Sequence, residues 1–195
     1  MVRPRQFDPG DVEEALLDVF WSRGYARTSL DDLTKATGLQ RGSLYAAYAD
    51  KEEMFRTATK RYVAELTAAL ASEKRGLDGA QHVLETVVRL TTRDPKRRGC
   101  LVLNAIPEAH GLSAETQEEL QSTLRSMQAL LRARLREAQA DAGTDLDLDP
   151  LVALLFAAVV AIRVLGRAGH TGRLLQNISK GAIEAAQRCF KREKE

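Results

Sequence analysis

The stretch from Thr28 to Lys51, TSLDDLTKATGLQRGSLYAAYADK, constrains this chain more than any other. Its spacing predicts two short helices joined by a tight turn. Thr28 and Ser29 each offer an N-cap hydroxyl. Asp31 and Asp32 follow three residues after each, the capping-box spacing with Asp in place of Glu. Leu30, Leu33 and Ala36 fall on one helical face. Gly38 supplies the left-handed residue that ends a helix and lets the chain reverse. Leu39 closes the core from inside the turn. A second helix starts near Gln40 or Arg41, with Leu44 and Tyr48 four apart and therefore on one face. Gly42, Ser43, Tyr45 and Ala46 are left looking outward. A short helix that shows these residues behind Gln and Arg is odd for a solvated surface. It suits a helix whose N-terminal end enters the major groove of DNA.

The wider run VFWSRGYARTSLDDLTKATGLQRGSLYAAYADKEEMF, Val19 to Phe55, closely resembles the N-terminal helix-turn-helix of TetR/AcrR-family transcriptional regulators. Gly24-Tyr25, Thr28-Ser29, Ala36-Thr37-Gly38, Gly42-Ser43-Leu44-Tyr45, Tyr48 and Lys51-Glu52 stand at the family's spacing. The resemblance implies an all-α fold of about nine helices. Residues 1–50 would form a three-helix DNA-binding domain. Residues 51–195 would form a helical ligand-binding and dimerisation domain. It also implies a ligand-responsive regulator, in this family usually a repressor. Such a protein binds a palindromic double-stranded DNA operator as a homodimer and answers to a small-molecule inducer. No cofactor or metal is expected.

Roles within the DNA reading follow from chemistry and from family position. Arg41 pairs well with guanine and Gln40 with adenine. Gly42 lets backbone approach the duplex. Thr28, Ser29, Ser43, Tyr45 and Lys51 match the family's DNA-facing positions; Ser43, Tyr45 and Lys51 are matched to phosphates. Ala46 suits a thymine methyl. The family often carries histidine where Ala47 stands, so one usual phosphate contact is missing. Against this, Tyr45 also reads as partly core, and Lys51 as a solvated cap residue.

Bulk charge does not point to nucleic acid. The net charge is +2, and residues 1–61 hold as many acidic as basic side chains. Any basic footprint must come from arrangement. The hydrophobic share of 44% and charged share of 29% suit a globular chain and argue against disorder. The two cysteines, Cys100 and Cys189, form neither a disulfide framework nor a zinc site. The start, MVRPRQFDPGD, lacks an apolar signal core, so a cytoplasmic protein is expected. Arg3 and Arg5 on that arm read equally as minor-groove contacts or as a frayed terminus.

Beyond the motif, helical periodicity continues. Val12, Ala15, Leu16, Val19 and Phe20 form the buried stripe of a first helix that Gly24 ends. Asp50 and Glu53 read as the cap of a long fourth helix stopping near Gly76. A fifth helix runs from Gly79 to about Thr92. Pro107 should kink or end a sixth helix, because a proline inside one costs about 3 kcal/mol. Ser113 caps a seventh helix that Gly143 ends, and Pro150 suits the first turn of an eighth. Leu151 to Ile162, LVALLFAAVVAI, is apolar all round. This run is shorter than the roughly 18 residues a membrane span needs, so no membrane is expected. A helix apolar on every side needs cover on every side. The expected dimer face is therefore Leu151, Leu155, Ala158 and Ile162, with Ile178, Ala182 and Ala185 from the last helix. The inducer cavity is expected between the fourth and seventh helices, near Cys100, Leu103, Asn104, Met127 and Arg163. Cys100 is also a candidate reactive thiol, since Arg97 and Arg98 precede it and a helix begins there. Plain packing is the alternative.

Two other functions stay open on the residues alone. One is a small helical enzyme, for which scattered His82, His110 and His170 offer little. The other is an interaction protein with a vestigial helix-turn-helix.

Overall fold

A computed structural model describes Asp8 to Arg192. Arg3 and Arg5 lie outside the described residues. Among those described there are nine α-helices, one 3-10 helix and no strand. They are α1 (Pro9–Arg23), α2 (Leu30–Thr37), α3 (Arg41–Ala47), α4 (Lys51–Leu70), α5 (Gly76–Arg93), α6 (Leu101–Ala105), a 3-10 turn (Ile106–Gly111), α7 (Ala114–Ala142), α8 (Asp149–Arg167) and α9 (Gly172–Arg192). The chain divides into two compact units. The first holds the chain up to Leu66 together with Leu101–Leu120; the second holds Thr67–Cys100 and the chain from Gln121 onward. The first unit thus takes in the start of α4, α6, the 3-10 turn and the start of α7, all beyond residue 50.

In the first unit α1 packs on α2, and α2 on α3. Asp8 caps α1 by accepting from the Gly10 N–H at 2.8 Å. Its inward face is Val12, Leu16, Leu17 and Phe20. Leu17 thus takes a core place expected for Ala15 or Val19. Leu33, Leu44, Met54, Phe55 and Ala58 are fully buried with Phe20. Phe20 meets Phe55 edge-on at 5.3 Å between ring centres. Pro107 ends α6 as expected: the helix stops at Ala105 and the tighter 3-10 turn takes over.

The second unit is built on mutual packing of α5, α8 and α9. Gly166 is needed there, because a Cβ at that position would lie 2.1 Å from the Thr91 methyl. Two expected boundaries move. Helix α4 ends at Leu70, before Gly76, and α5 begins at Gly76, before Gly79. Gly76 has φ +54 and donates its N–H to Glu137 at 2.9 Å, so it opens α5 rather than closing α4.

The dimer face chosen from sequence is corrected. Leu151, Leu155, Ala158, Ile162 and Ala182 are buried within the chain itself. Ile178 and Ala185 are half-buried. The i, i+4, i+7, i+11 spacing picked a true stripe of α8, but the inward one. Its outward face carries Ala153, Leu154, Ala157 and Val164. The membrane argument also changes. The helix around LVALLFAAVVAI has 19 residues, long and apolar enough to cross a membrane by length and composition. What marks it as a core helix is packing: its inward face, including Arg163, is buried against the second unit's own helices.

Candidate nucleic-acid interface

The site grows from two capped helices. Ser29 is the N-cap of α2: its hydroxyl accepts from the Asp32 N–H, while the Asp32 carboxylate accepts from the Ser29 N–H at 2.9 Å. The Ser29 N–H and hydroxyl together hold the Asp32 carboxyl below its ordinary value. Of the two equally spaced candidates, Ser29 thus caps and Thr28 does not. Thr28 is buried; its hydroxyl donates to the Gly24 carbonyl at 2.6 Å, and its N–H to that of Tyr25. With both donors engaged inside the chain, Thr28 is removed as a DNA contact. Ser29 stays exposed.

Gly38 ends α2 at φ +67, in the left-handed region, and Leu39 turns inward. Helix α3 then starts at Arg41. Leu44 is fully buried and Tyr48 half-buried, which fixes the rotation of α3. Gln40, Arg41, Gly42, Ser43, Tyr45 and Ala46 all lie exposed as a result. Tyr45 is 49% exposed, so it does not belong to the core. The Gln40 side chain makes no cap bond. A Cβ at Gly42 would meet nothing within 4 Å, so nothing inside the chain asks for glycine there. Arg41 donates to Asp31 on α2.

Asp50 caps α4 by accepting from the Glu53 N–H at 2.8 Å. The Glu53 carboxylate reaches back to the Ala49 N–H, one residue beyond the Asp50 N–H of the expected box. Lys51 is not a solvated cap residue. Its ammonium lies 4.4 Å from the centre of the Tyr25 ring. Burial pulls that ammonium below its ordinary value, and the nearby Glu108 carboxylate opposes the fall. Tyr25 in turn packs on Phe55 at 5.2 Å. The lysine is therefore held in place at the start of α4.

The geometry thus gathers Ser29, Gln40, Arg41, Gly42, Ser43, Tyr45, Ala46 and Lys51 within the first unit. It presents them as exposed donors, a bare backbone patch and one oriented cation, which is what groove entry and phosphate contact require. Asp31 and Glu108 were missed by sequence reasoning. Asp31 was assigned only to capping, and Glu108 lies 82 residues from its partner Ala26. The expected ligand residues are not gathered in one unit. Leu103 and Asn104 belong to the first, and Cys100, Met127 and Arg163 to the second.

Comparison with known proteins agrees with this geometry. A family model for bacterial regulatory proteins of the tetR family matches residues 14–58. A model for the tetracyclin repressor-like C-terminal domain matches residues 76–178. The HTH-type transcriptional repressor ComR of Escherichia coli (strain K12) is 26% identical over 184 residues, covering 91% of this chain and 88% of ComR. A cysteine mutant of the TetR family transcriptional regulator CifR, solved with 26-base-pair double-strand operator DNA, is 30% identical with a TM-score of 0.82, covering 94% of this chain and 99% of CifR. A TetR transcriptional regulator from Chloroflexus aurantiacus shares the fold at a TM-score of 0.77 and 23% identity over 89% of this chain and 90% of its own. The chain belongs to the TetR family of DNA-binding transcriptional regulators.

Proposed function

We propose that this regulator is a ligand-responsive repressor that binds a palindromic operator as a homodimer in the cytoplasm. Residues 1–50 together with Lys51 read the DNA, and the rest of residues 51–195 takes up the inducer and forms the dimer. The observation that carries the DNA reading is Gly42: an exposed glycine with open space around it, flanked by exposed Arg41, Ser43 and Tyr45. Gln40 and Arg41 read base edges, and Ser43, Tyr45 and Lys51 hold phosphates. Two recognition helices related by a two-fold axis sit about 34–36 Å apart, or further on a longer site.

The dimer forms through the outward faces of α8 and α9. On α8 these are Ala153, Leu154, Ala157 and Val164; on α9 they are Leu174, Ile178, Gly181 and Ala185. Leu154, Val164 and Leu174 are large apolar side chains left exposed. A Cβ at Gly181 would meet nothing within 4 Å. A bare, exposed glycine on the same stripe of α9 as Leu174 suits close approach of a second helix.

For the inducer, Arg163 is the leading residue. It is buried, and among the described residues no ion pair joins it. A largely buried arginine with no carboxylate beside it suits an acidic group on the ligand. Cys100 and Met127, in the same unit as Arg163, remain candidate lining. The test is selection of duplexes from a random library by the purified protein, followed by light scattering of the complex. Enrichment of an inverted repeat bound by two copies is expected. Enrichment of no sequence would leave the helix-turn-helix without its DNA role.

A further inference from the structure

The 3-10 turn, residues 106–111, lies far from the DNA-reading helices in sequence yet belongs to the same compact unit. It sends one side chain into the head. The Ala26 N–H donates to Glu108 Oε2 at 2.9 Å, 82 residues apart. Gly24 sits at φ +81, and a Cβ there would lie 2.7 Å from Glu108 Oε1. The carboxylate therefore fills the space that a side chain at position 24 would occupy. Both of its oxygens are placed against the loop between α1 and α2. That loop is stiff in its own right, since Thr28 bonds back to the Gly24 carbonyl. It leads directly into the Ser29 cap of α2. The same carboxylate acts on the Lys51 ammonium.

Nor is the 3-10 turn free to drift. Directly after it, the Ser113 N–H donates to Glu52 at 2.9 Å, and the Ser113 and Thr116 hydroxyls bond the same carboxylate. One turn further on, Arg56 donates to Glu115 at 2.6 Å and to Glu119 at 2.7 Å. Glu52, the residue after Lys51 at the start of α4, thus ties that helix to the segment that carries Glu108.

We propose that Glu108 is a positioning residue for DNA binding: it clamps the α1–α2 loop and so sets where α2 and the recognition helix α3 stand. The inference rests on the reading of α3 as the recognition helix. A carboxylate near Lys51 weakens attraction for every phosphate alike. Its benefit must then lie in geometry, and geometry acts on discrimination between sequences. Charge and clamp separate chemically. Glu108→Gln keeps an acceptor for the Ala26 N–H and loses the charge; Glu108→Ala loses both.

Two measurements test this on the full-length protein. Amide exchange at Ala26 should quicken about fivefold in Glu108→Ala, the worth of one hydrogen bond, and stay near wild type in Glu108→Gln. Binding is then compared between the best duplex selected by the wild-type protein and a scrambled duplex of equal length. Glu108→Gln should tighten both and keep their ratio. Glu108→Ala should lower the ratio about fivefold. An unchanged ratio in Glu108→Ala, or an equal loss in Glu108→Gln, overturns the proposal. Should Glu108→Ala fail to fold, Gly24→Ala presses on the same carboxylate, and Gly24→Ala/Glu108→Gln gives a cycle in which coupling near zero also overturns it. If the wild-type protein selects no duplex, the DNA reading of this surface fails, while amide exchange at Ala26 still decides the clamp.

Discussion

Asp31 Oδ1 lies 2.5 Å from the Arg41 guanidinium, with both side chains 64% exposed. A pair so open to water contributes little to folding. It does orient the guanidinium at the first turn of α3, the position proposed to read a base edge. One nitrogen is engaged with the carboxylate, and the rest of the fork stays free to face guanine. Arg41→Ala is expected to lower discrimination at one guanine position about tenfold or more. Asp31→Asn should tighten binding to all sequences by removing a negative charge, and blur the preference at that same position. Competition binding against single-base variants of the selected duplex reads both. An unchanged preference in Arg41→Ala would place base reading elsewhere than α3.

Gly42 gives opposite signs for stability and binding. Alanine at this exposed, sterically open helical position should stabilise the fold by about 0.5–1 kcal/mol. The added methyl stands where the proposed complex brings the duplex backbone close, so DNA affinity should fall. Thermal melting and gel shift on one sample check the pair of effects. Loss of stability together with affinity would mean that the glycine serves the chain and not the DNA.

The helix-turn-helix was legible because its signals are local. Ser29 and Asp32, Gly38, and Leu44 with Tyr48 each sit within a few residues of what they determine. Thr28 and Ser29 were equivalent by spacing, and only the Gly24 carbonyl, which Thr28 bonds, breaks the tie. Long-range pairs left no trace: nothing near Glu108 announces Ala26, and nothing near Lys51 announces that it rests on Tyr25. The α4–α5 boundary failed because Gly76 and Gly79 both look like breakers. Gly79 is instead inside α5, where a Cβ would lie 2.6 Å from the Lys74 carbonyl. Helix α8 failed for a different reason. When every face is apolar, periodicity finds stripes but cannot say which one faces inward.

That ambiguity makes a sharp test of the dimer. Leu154→Glu and Val164→Glu place charge on exposed positions and should leave the monomer folded. Size-exclusion chromatography with light scattering should then show a monomer, against the dimer expected of the wild type. Leu155→Glu, one residue from Leu154 but fully buried, should instead fail to fold. A dimer that survives both exposed charges would move the interface off α8.

Asp94 organises the loop that leads to Gly99 and Cys100. It accepts from the Lys96 N–H, from the Arg98 N–H and from the Arg98 guanidinium. Burial pushes its carboxyl up, but these donors outweigh burial and hold it below the ordinary value. A carboxyl lowered in the folded state contributes stability above its unfolded value of about 3.9, and that contribution is lost as pH falls through the folded value. Asp94→Asn should cost about 1–3 kcal/mol at neutral pH. The gap to wild type should stay constant down to about pH 4 and narrow below it. Urea titrations at several pH values measure the gap, and a gap independent of pH would show that the Asp94 charge does not act through these bonds.

Cys100 is a candidate on sequence either for activation by a helix start and nearby cations or for plain packing, and its surroundings offer little for activation. Helix α6 spans five residues, too short for a strong terminal field. Arg98 is engaged with Asp94. The thiol is buried at 8% exposure. Gly99 beside it has φ +73, and a Cβ there would lie 3.2 Å from the Arg163 carbonyl on α8, so this part of the loop is pressed onto that helix. A thiol packed this way reacts only when the loop opens. Alkylation of Cys100 in a Cys189→Ser protein should therefore be at least about tenfold slower when folded than when unfolded in urea. Cys189 is half-buried on α9, and in a Cys100→Ser protein it should react faster than Cys100 does. Should Cys100 react in the folded protein as fast as in urea, and should DNA affinity change with the extent of modification, the thiol is a sensor and not a packing residue.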